Sequence, residues 1–117
     1  MSRDVAQVFA DIDSFDADKF VTHLTPDVTF RFGIVEAVVG REAVAEAVKS
    51  FFVTIGGLTH HIRNVYGIGD TVAVKIDVEY LRKDGKRVTV PNADILAHDG
   101  DLVSDWQIYI DIAPAYA

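Results

Sequence analysis

Cysteine is absent from the 117 residues, which excludes disulfides, thiolate zinc sites and a cysteine nucleophile. Positive charge is scarce: 11 Lys and Arg stand against 18 Asp and Glu, for a formal net charge of −7. Phosphate backbones are bound by Lys and Arg, so no nucleic-acid partner is expected. The one basic cluster, RKDGKR (82–87), straddles a turn signal and reads as a solvated hairpin tip. The acidic balance also works against anionic membrane surfaces. No apolar run approaches the roughly 18 residues of a membrane span, so no membrane partner is expected. The stretch MSRDVAQVFADIDSF carries acids where a signal peptide needs an apolar core, and a cytoplasmic protein is the expectation. Histidine spacings that chelate from one face (H-x-H, H-x-x-x-H, H-x-x-E) are missing, and no metal site is expected. No phosphate-cradling glycine loop and no G-x-S-x-G elbow occur, and no cofactor is expected.

What is present is patterned. Val5, Val8, Phe9 and Ile12 recur at i, i+3, i+4, i+7 and predict an amphipathic helix. Ala17, Phe20, Val21 and Leu24 repeat that spacing in a short second helix, with Asp16 as N-cap and Pro26-Asp27 as its end. Residues 28–39 read as extended, with a break near Gly33. A third helix opens at Gly40, is built on Val44, Val48, Phe51, Phe52 and Ile55, and closes at Gly56-Gly57. Extended runs at 58–66, 71–82, 87–98 and 102–112 are separated by GIGD, KDGK and HDGD, each a turn signal. No repeat or linker interrupts the chain, so a single α+β domain over 1–117 is expected.

Alternation assigns faces within each strand. Val72, Val74, Ile76, Val78 and Tyr80 share one face of 71–82, and Lys75, Asp77 and Glu79 share the other. Val90, Asn92, Asp94 and Leu96 share a face of the next strand, and Trp106 and Ile108 share a face of the last. His60 and His61 are neighbours, so at most one looks inward. Two arrangements fit. In one, the apolar face of 71–82 is core. In the other, Lys75 and Asp77 line a cavity, and the apolar face is covered by a second subunit.

The element order and the segments FADIDSFDADKFVTHLTPDVTF, GREAV, LTHHIRNV and YLRKDGKRVTVPNADILAHDGDLVSDWQIYIDIAP resemble the superfamily of nuclear transport factor two, ketosteroid isomerase and the SnoaL-like polyketide cyclases. The resemblance covers essentially the whole chain. It implies a cone-like fold: three N-terminal helices packed on a curved, mainly antiparallel sheet that encloses an apolar pocket. It also implies a homodimer through the outer sheet face, and so favours the second arrangement.

Three related active sites match in part. The oxyanion Asp of ketosteroid isomerase falls on Asp94, but its base position holds Phe32 and its Tyr position falls near Phe9. An Asp of limonene epoxide hydrolase falls on Asp77 and its Arg on Lys75; its remaining groups fall on Ile108, Phe30 and Phe32. The Asp and His of scytalone dehydratase fall on Asp13 and His61. A carboxylate bonded to one imidazole nitrogen sets the tautomer and raises the basicity of the other, as proton transfer near neutral pH requires. His60 keeps a claim, because related sequences carry a histidine four residues before an asparagine, the spacing of His60 and Asn64.

The resemblance thus implies Asp13, His61, Asp77 and Asp94 as catalytic residues. Phe9, Phe30, Phe32, Phe52, His60, Lys75, Val90, Asn92, Trp106 and Ile108 are the expected substrate contacts. The implied activity is cofactor-independent proton transfer on a small, apolar organic molecule: isomerisation, cyclisation, dehydration or hydration. The alternative is a non-catalytic binding or interaction module, because phenylalanines replace several acids and bases.

Overall fold

The computed structural model describes residues 5–116. Helix α1 (Val5–Asp13) is followed by a single-turn helix α2 (Ala17–Phe20) and a 3-10 turn over Val21–His23. Asp16 caps α2 by accepting from the amides of Asp18 at 3.1 Å and Lys19 at 3.2 Å, as the sequence predicts. The helix does not run on to Pro26. Strand β1 (Leu24–Phe32) already begins at Leu24. Pro26 lies where the ladder of β1 is irregular, and there its missing amide costs no regular pairing. Strand β2 (Val38–Val39) and helix α3 (Arg41–Val53) come next. The helices are therefore not all N-terminal, since α3 enters only after two strands. Strands β3 (Gly57–Ile68), β4 (Thr71–Leu81), β5 (Arg87–Asp99) and β6 (Leu102–Ile110) form a meander at the predicted positions.

The six strands make one sheet in the order β2-β1-β6-β5-β4-β3. All pairings are antiparallel except β1 with β6, which is parallel. The helices cover one face. On that face Val74, Ile76, Val78 and Tyr80 of β4 are buried, so the apolar stripe is core. The expectation that a second subunit covers it is corrected, as is the cavity placement of Lys75 and Asp77. Lys75 is exposed, and Asp77 accepts from Arg63 Nε at 2.7 Å on the outer face. The reason is the hydrophobic effect within one chain: the apolar sides of α1 and α3 need an apolar partner, and this stripe supplies it.

Three rows of inward side chains cross the sheet, set by its register. Phe30, Trp106, Leu96 and Val72 form one; Phe32, Ile108, Asp94 and Val74 a second; Ile62, Ile76, Asn92 and Ile110 a third. Rings of Phe9, Phe20 and Phe30 surround Trp106 at centroid distances of 5.6, 5.4 and 5.9 Å. A second set of ties holds α1. Asp11 is buried and accepts from Gln7 Nε2 at 2.8 Å, with His23 Nε2 at 2.5 Å and Lys19 Nζ at 3.5 Å. The His23 bond, with Gln7 and Lys19, outweighs burial and holds the Asp11 carboxyl below its usual range.

Leu96 is fully buried beneath this aromatic group. Leu96→Ala is expected to cost about 3 kcal/mol, the usual result of a cavity left in a packed core. Urea unfolding followed by circular dichroism checks it, as a lower midpoint at unchanged slope.

Candidate functional site

The aromatic rows leave one pocket with polar groups at its end. Its walls are apolar (Ile12, Phe20, Phe30, Phe32, Val48, Phe51, Phe52, Leu58, Trp106 and Ile108), and its polar members are His60, Tyr80, Asn92 and Asp94. The open space is small, about 50 Å³. Phe30, Phe32, Val48 and Phe51 also line an outer cleft of about 310 Å³, shared with Val35, Glu36, Val38, Ala47, Ile112 and Tyr116.

His60, not His61, faces this pocket. The His60 side chain is 8% exposed and the His61 side chain 43%. His61 turns to the outer face, where its Nε2 lies 3.2 Å from Glu79. Alternation is the cause: Leu58, His60 and Ile62 point inward, and Thr59 and His61 point outward. That signal was in the sequence, since His60 has leucine and isoleucine two residues to either side, whereas His61 has threonine and arginine. A bulge between Ile62 and Asn64 inserts Arg63, so Asn64 pairs with outward Lys75 and does not share the His60 face.

Asp13, the last residue of α1, binds His60 twice. Its Oδ1 lies 2.6 Å from His60 Nδ1, and its Oδ2 accepts the His60 main-chain amide at 2.9 Å. A carboxylate acceptor makes Nδ1 the protonated nitrogen and leaves Nε2 as the basic one. The expected aspartate–histidine pair is thus formed, with the histidine exchanged. The helix ends here because Phe15 adopts a left-handed conformation, φ 64°, and stacks on Phe52 at 4.3 Å. Such a backbone is costly for a bulky residue, and the stacking contact offsets that cost.

Asp94 is 1% exposed. Both its oxygens are engaged: Asn92 Nδ2 donates to Oδ1 at 2.7 Å and Trp106 Nε1 to Oδ2 at 3.0 Å. Burial dominates and pushes the carboxyl up to about 6, against the opposing pull of Trp106, His60 and Asn92. Tyr80 was not among the sequence candidates. Its phenol is raised by burial and by the charge of Asp94, so it stays a hydroxyl at neutral pH. The only sequence clue to it is a tyrosine ending an otherwise aliphatic inward stripe.

Of the expected contacts, Phe30, Phe32, Phe52, His60, Asn92, Trp106 and Ile108 line the pocket. Phe9 and Val90 are buried in the core and do not line it: Phe9 of α1 packs on the rings of His60 at 4.9 Å and Trp106 at 5.6 Å, and Val90 lies beside Val78 in the sheet. Lys75 and Asp77 lie on the opposite sheet face, where odd-numbered β4 residues point outward. Among the described residues, no cluster of three or more His, Cys, Asp or Glu is placed to hold a metal ion. No helix of the described residues is long and apolar enough to cross a membrane.

Helices packed on one curved, mixed six-stranded sheet give the α+β fold shared by nuclear-transport-factor-two-like proteins. The chain belongs to the SnoaL-like domain family, whose model matches residues 5–106. No curated protein matches the sequence. Among solved structures, it is similar to a Catenulispora acidiphila protein of ketosteroid isomerase-like fold, crystallised in complex with trimethylamine. That match has 20% identity and a TM-score of 0.84, covering 93% of this chain and 86% of the other. It is also similar to the epoxide hydrolase/cyclase-like enzyme SalBIII of pyran ring formation in salinomycin, with 20% identity, a TM-score of 0.80, and 93% and 88% covered. A SnoaL-like polyketide cyclase from Jannaschia follows at 18% identity, a TM-score of 0.76, and 93% and 86% covered. At such identities the likeness establishes the fold; function must be argued from the site.

The buried carboxyl makes stability depend on pH. Asp94 keeps its proton to about pH 6 when folded but loses it near 3.8 when unfolded. Its stabilising contribution is therefore present below the unfolded value and lost as pH rises through the folded one. Asp94→Asn removes this slope. Relative to wild type, the variant is expected to gain about 2–3 kcal/mol between about pH 4 and about pH 7, checked by urea unfolding at both.

Proposed function

We propose that the chain is a cofactor-independent enzyme that moves protons on a small, apolar organic molecule, as an isomerase, cyclase, dehydratase or hydratase. One observation carries the reading: His60, oriented by two hydrogen bonds that Asp13 accepts, lines an apolar pocket that also holds the buried carboxyl of Asp94. The geometry supports the following roles. His60 Nε2 takes a proton from substrate carbon or oxygen, and Asp13 stabilises the imidazolium that forms. The Tyr80 hydroxyl donates to the substrate oxygen on which charge develops. Asp94 exchanges a proton with substrate at mildly acidic pH, since its carboxyl titrates at about 6. Relatives described as a polyketide cyclase and an epoxide hydrolase/cyclase-like enzyme support the same class of substrate.

The test is a panel of enolisable ketones, epoxides and hydroxynaphthalenes. Turnover is expected to fall by about 10²-fold or more in His60→Ala, the usual worth of a general base. His61→Ala, altered on the outer face, is expected to match wild type. Saturable binding without turnover across the panel overturns the enzymatic reading and leaves a binding module.

We further propose a homodimer through the outer sheet face. Its support is the exposed Tyr66, Ile68 and Tyr109, beside Pro91 and Ala93, on the side away from the helices. Light scattering at micromolar concentration is expected to give twice the chain mass, and Tyr109→Glu to give a monomer. A monomeric wild type overturns this proposal.

A further inference from the structure

The proposed reaction leaves open what kind of molecule the pocket accepts, and the polar inventory of its end answers that. Asn92 is 8% exposed, and its amide nitrogen is committed to Asp94. Its carbonyl oxygen Oδ1 is buried and has no hydrogen-bond partner among the described residues. A buried unpaired carbonyl is costly, and such groups are generally satisfied by a partner. The other polar groups sharpen the picture. Both oxygens of Asp94 already accept protein hydrogen bonds. His60 Nδ1 is engaged by Asp13, which leaves Nε2 as an acceptor. No lysine or arginine lines the inner end or the outer cleft among the described residues. Tyr80 supplies a hydroxyl donor; Asn92 Oδ1 and His60 Nε2 are left as acceptors, and no lysine or arginine among the described lining residues gives an anionic group a counter-charge.

Space adds a second constraint. The inner end holds about 50 Å³, well below the ~150 Å³ of a protein cavity known to take up benzene. A ring does not fit there, whereas a terminal polar group with a few carbons does. The outer cleft of about 310 Å³ shares the walls Phe30, Phe32, Val48 and Phe51 and has room for a ring.

We propose that the substrate enters head-first: a hydrogen-bond-donating head, hydroxyl or protonated amine, binds Asn92 Oδ1 at the inner end, a short chain threads the phenylalanine walls, and an apolar ring stays in the outer cleft. The inference rests on the reading that this pocket is where substrate binds. Both heads satisfy the orphan oxygen. The amine would draw further on the Asp94 carboxylate and the aromatic faces; the alcohol would do without either charge.

A matched series on the full chain tests it: 3-phenylpropan-1-ol, 3-phenylpropan-1-amine, 3-phenylpropyl methyl ether and 3-phenylpropanoate. Trp106 is the chain's one tryptophan and lines the pocket, so its emission reports occupancy. The alcohol or the amine is expected to bind about tenfold or more tighter than the ether and the carboxylate, because a site built around a buried acceptor rejects a ligand that cannot donate. Whichever of the two binds tighter identifies the head. In Asn92→Ala the advantage over the ether is expected to vanish. The wild-type series decides the matter even if that variant does not fold. An ether that binds as well as the alcohol and the amine, or a carboxylate that binds best, overturns the head assignment while the pocket reading stands. A persistent advantage in folded Asn92→Ala removes Asn92 from the assignment. If none of the four binds, the ether included, the pocket reading itself fails.

Discussion

A carboxylate placed where water cannot reach it must be surrounded by donors or must keep its proton, and Asp94 does some of each. Much of the local structure answers to that constraint. Trp106 donates its ring N–H to Asp94 and packs against the rings of Phe9 and Phe20 in T-shaped contacts and of Phe30 in a tilted one. Asn92 turns its amide nitrogen to the same carboxyl, and its own oxygen is left buried without a hydrogen-bond partner among the described residues. The cross-strand register of β5 and β6 sets Asp94 and Trp106 diagonally from one another, within reach of a side-chain bond. The core is thus organised around a polar group, and the pocket is the space its partners leave.

The pocket's titratable groups are divided by environment. Asp13 sits at its edge, partly exposed, and accepts two hydrogen bonds from His60. Asp94 sits at its depth, and the low local polarity raises its affinity for a proton. Tyr80 is kept neutral by the same burial. One apolar pocket is therefore lined by an imidazole held by Asp13, a neutral tyrosine hydroxyl and a carboxyl pushed up to about 6. Walls of phenylalanine exclude water and strengthen every polar contact inside.

The helices, the turns and the strand meander were legible because each has a strong local signal: heptad-like apolar spacing, an Asp16 cap, and Gly-Asp turns. The end of α2 was not, because Leu24 fits the helical spacing as well as it fits a strand, and only pairing with β6 settles it. The inward placement of Asp94, Asn92, Trp106, Phe30, Phe32 and Phe52, and the pairing of Asp13 with a histidine, were legible. Lys75, Asp77 and His61 were misassigned by counting along a resemblance. Plain alternation, with Val74, Ile76 and Val78 on one side and Leu58, His60 and Ile62 on another, already separated the inner face from the outer. Tyr80 was hidden as one more member of an apolar stripe.

Periodicity and composition by themselves determined the element order, the α+β class, the absence of thiol chemistry and the identity of each strand's two faces. These depend on local sterics and on hydrophobic spacing, which a single chain carries along its length. Which face turns inward, which histidine meets Asp13, and that Asn92 is left with a buried, unpartnered oxygen were decided only in three dimensions. Each depends on register and on how the helices cap the sheet, and a shift of one residue exchanges every side chain between core and solvent.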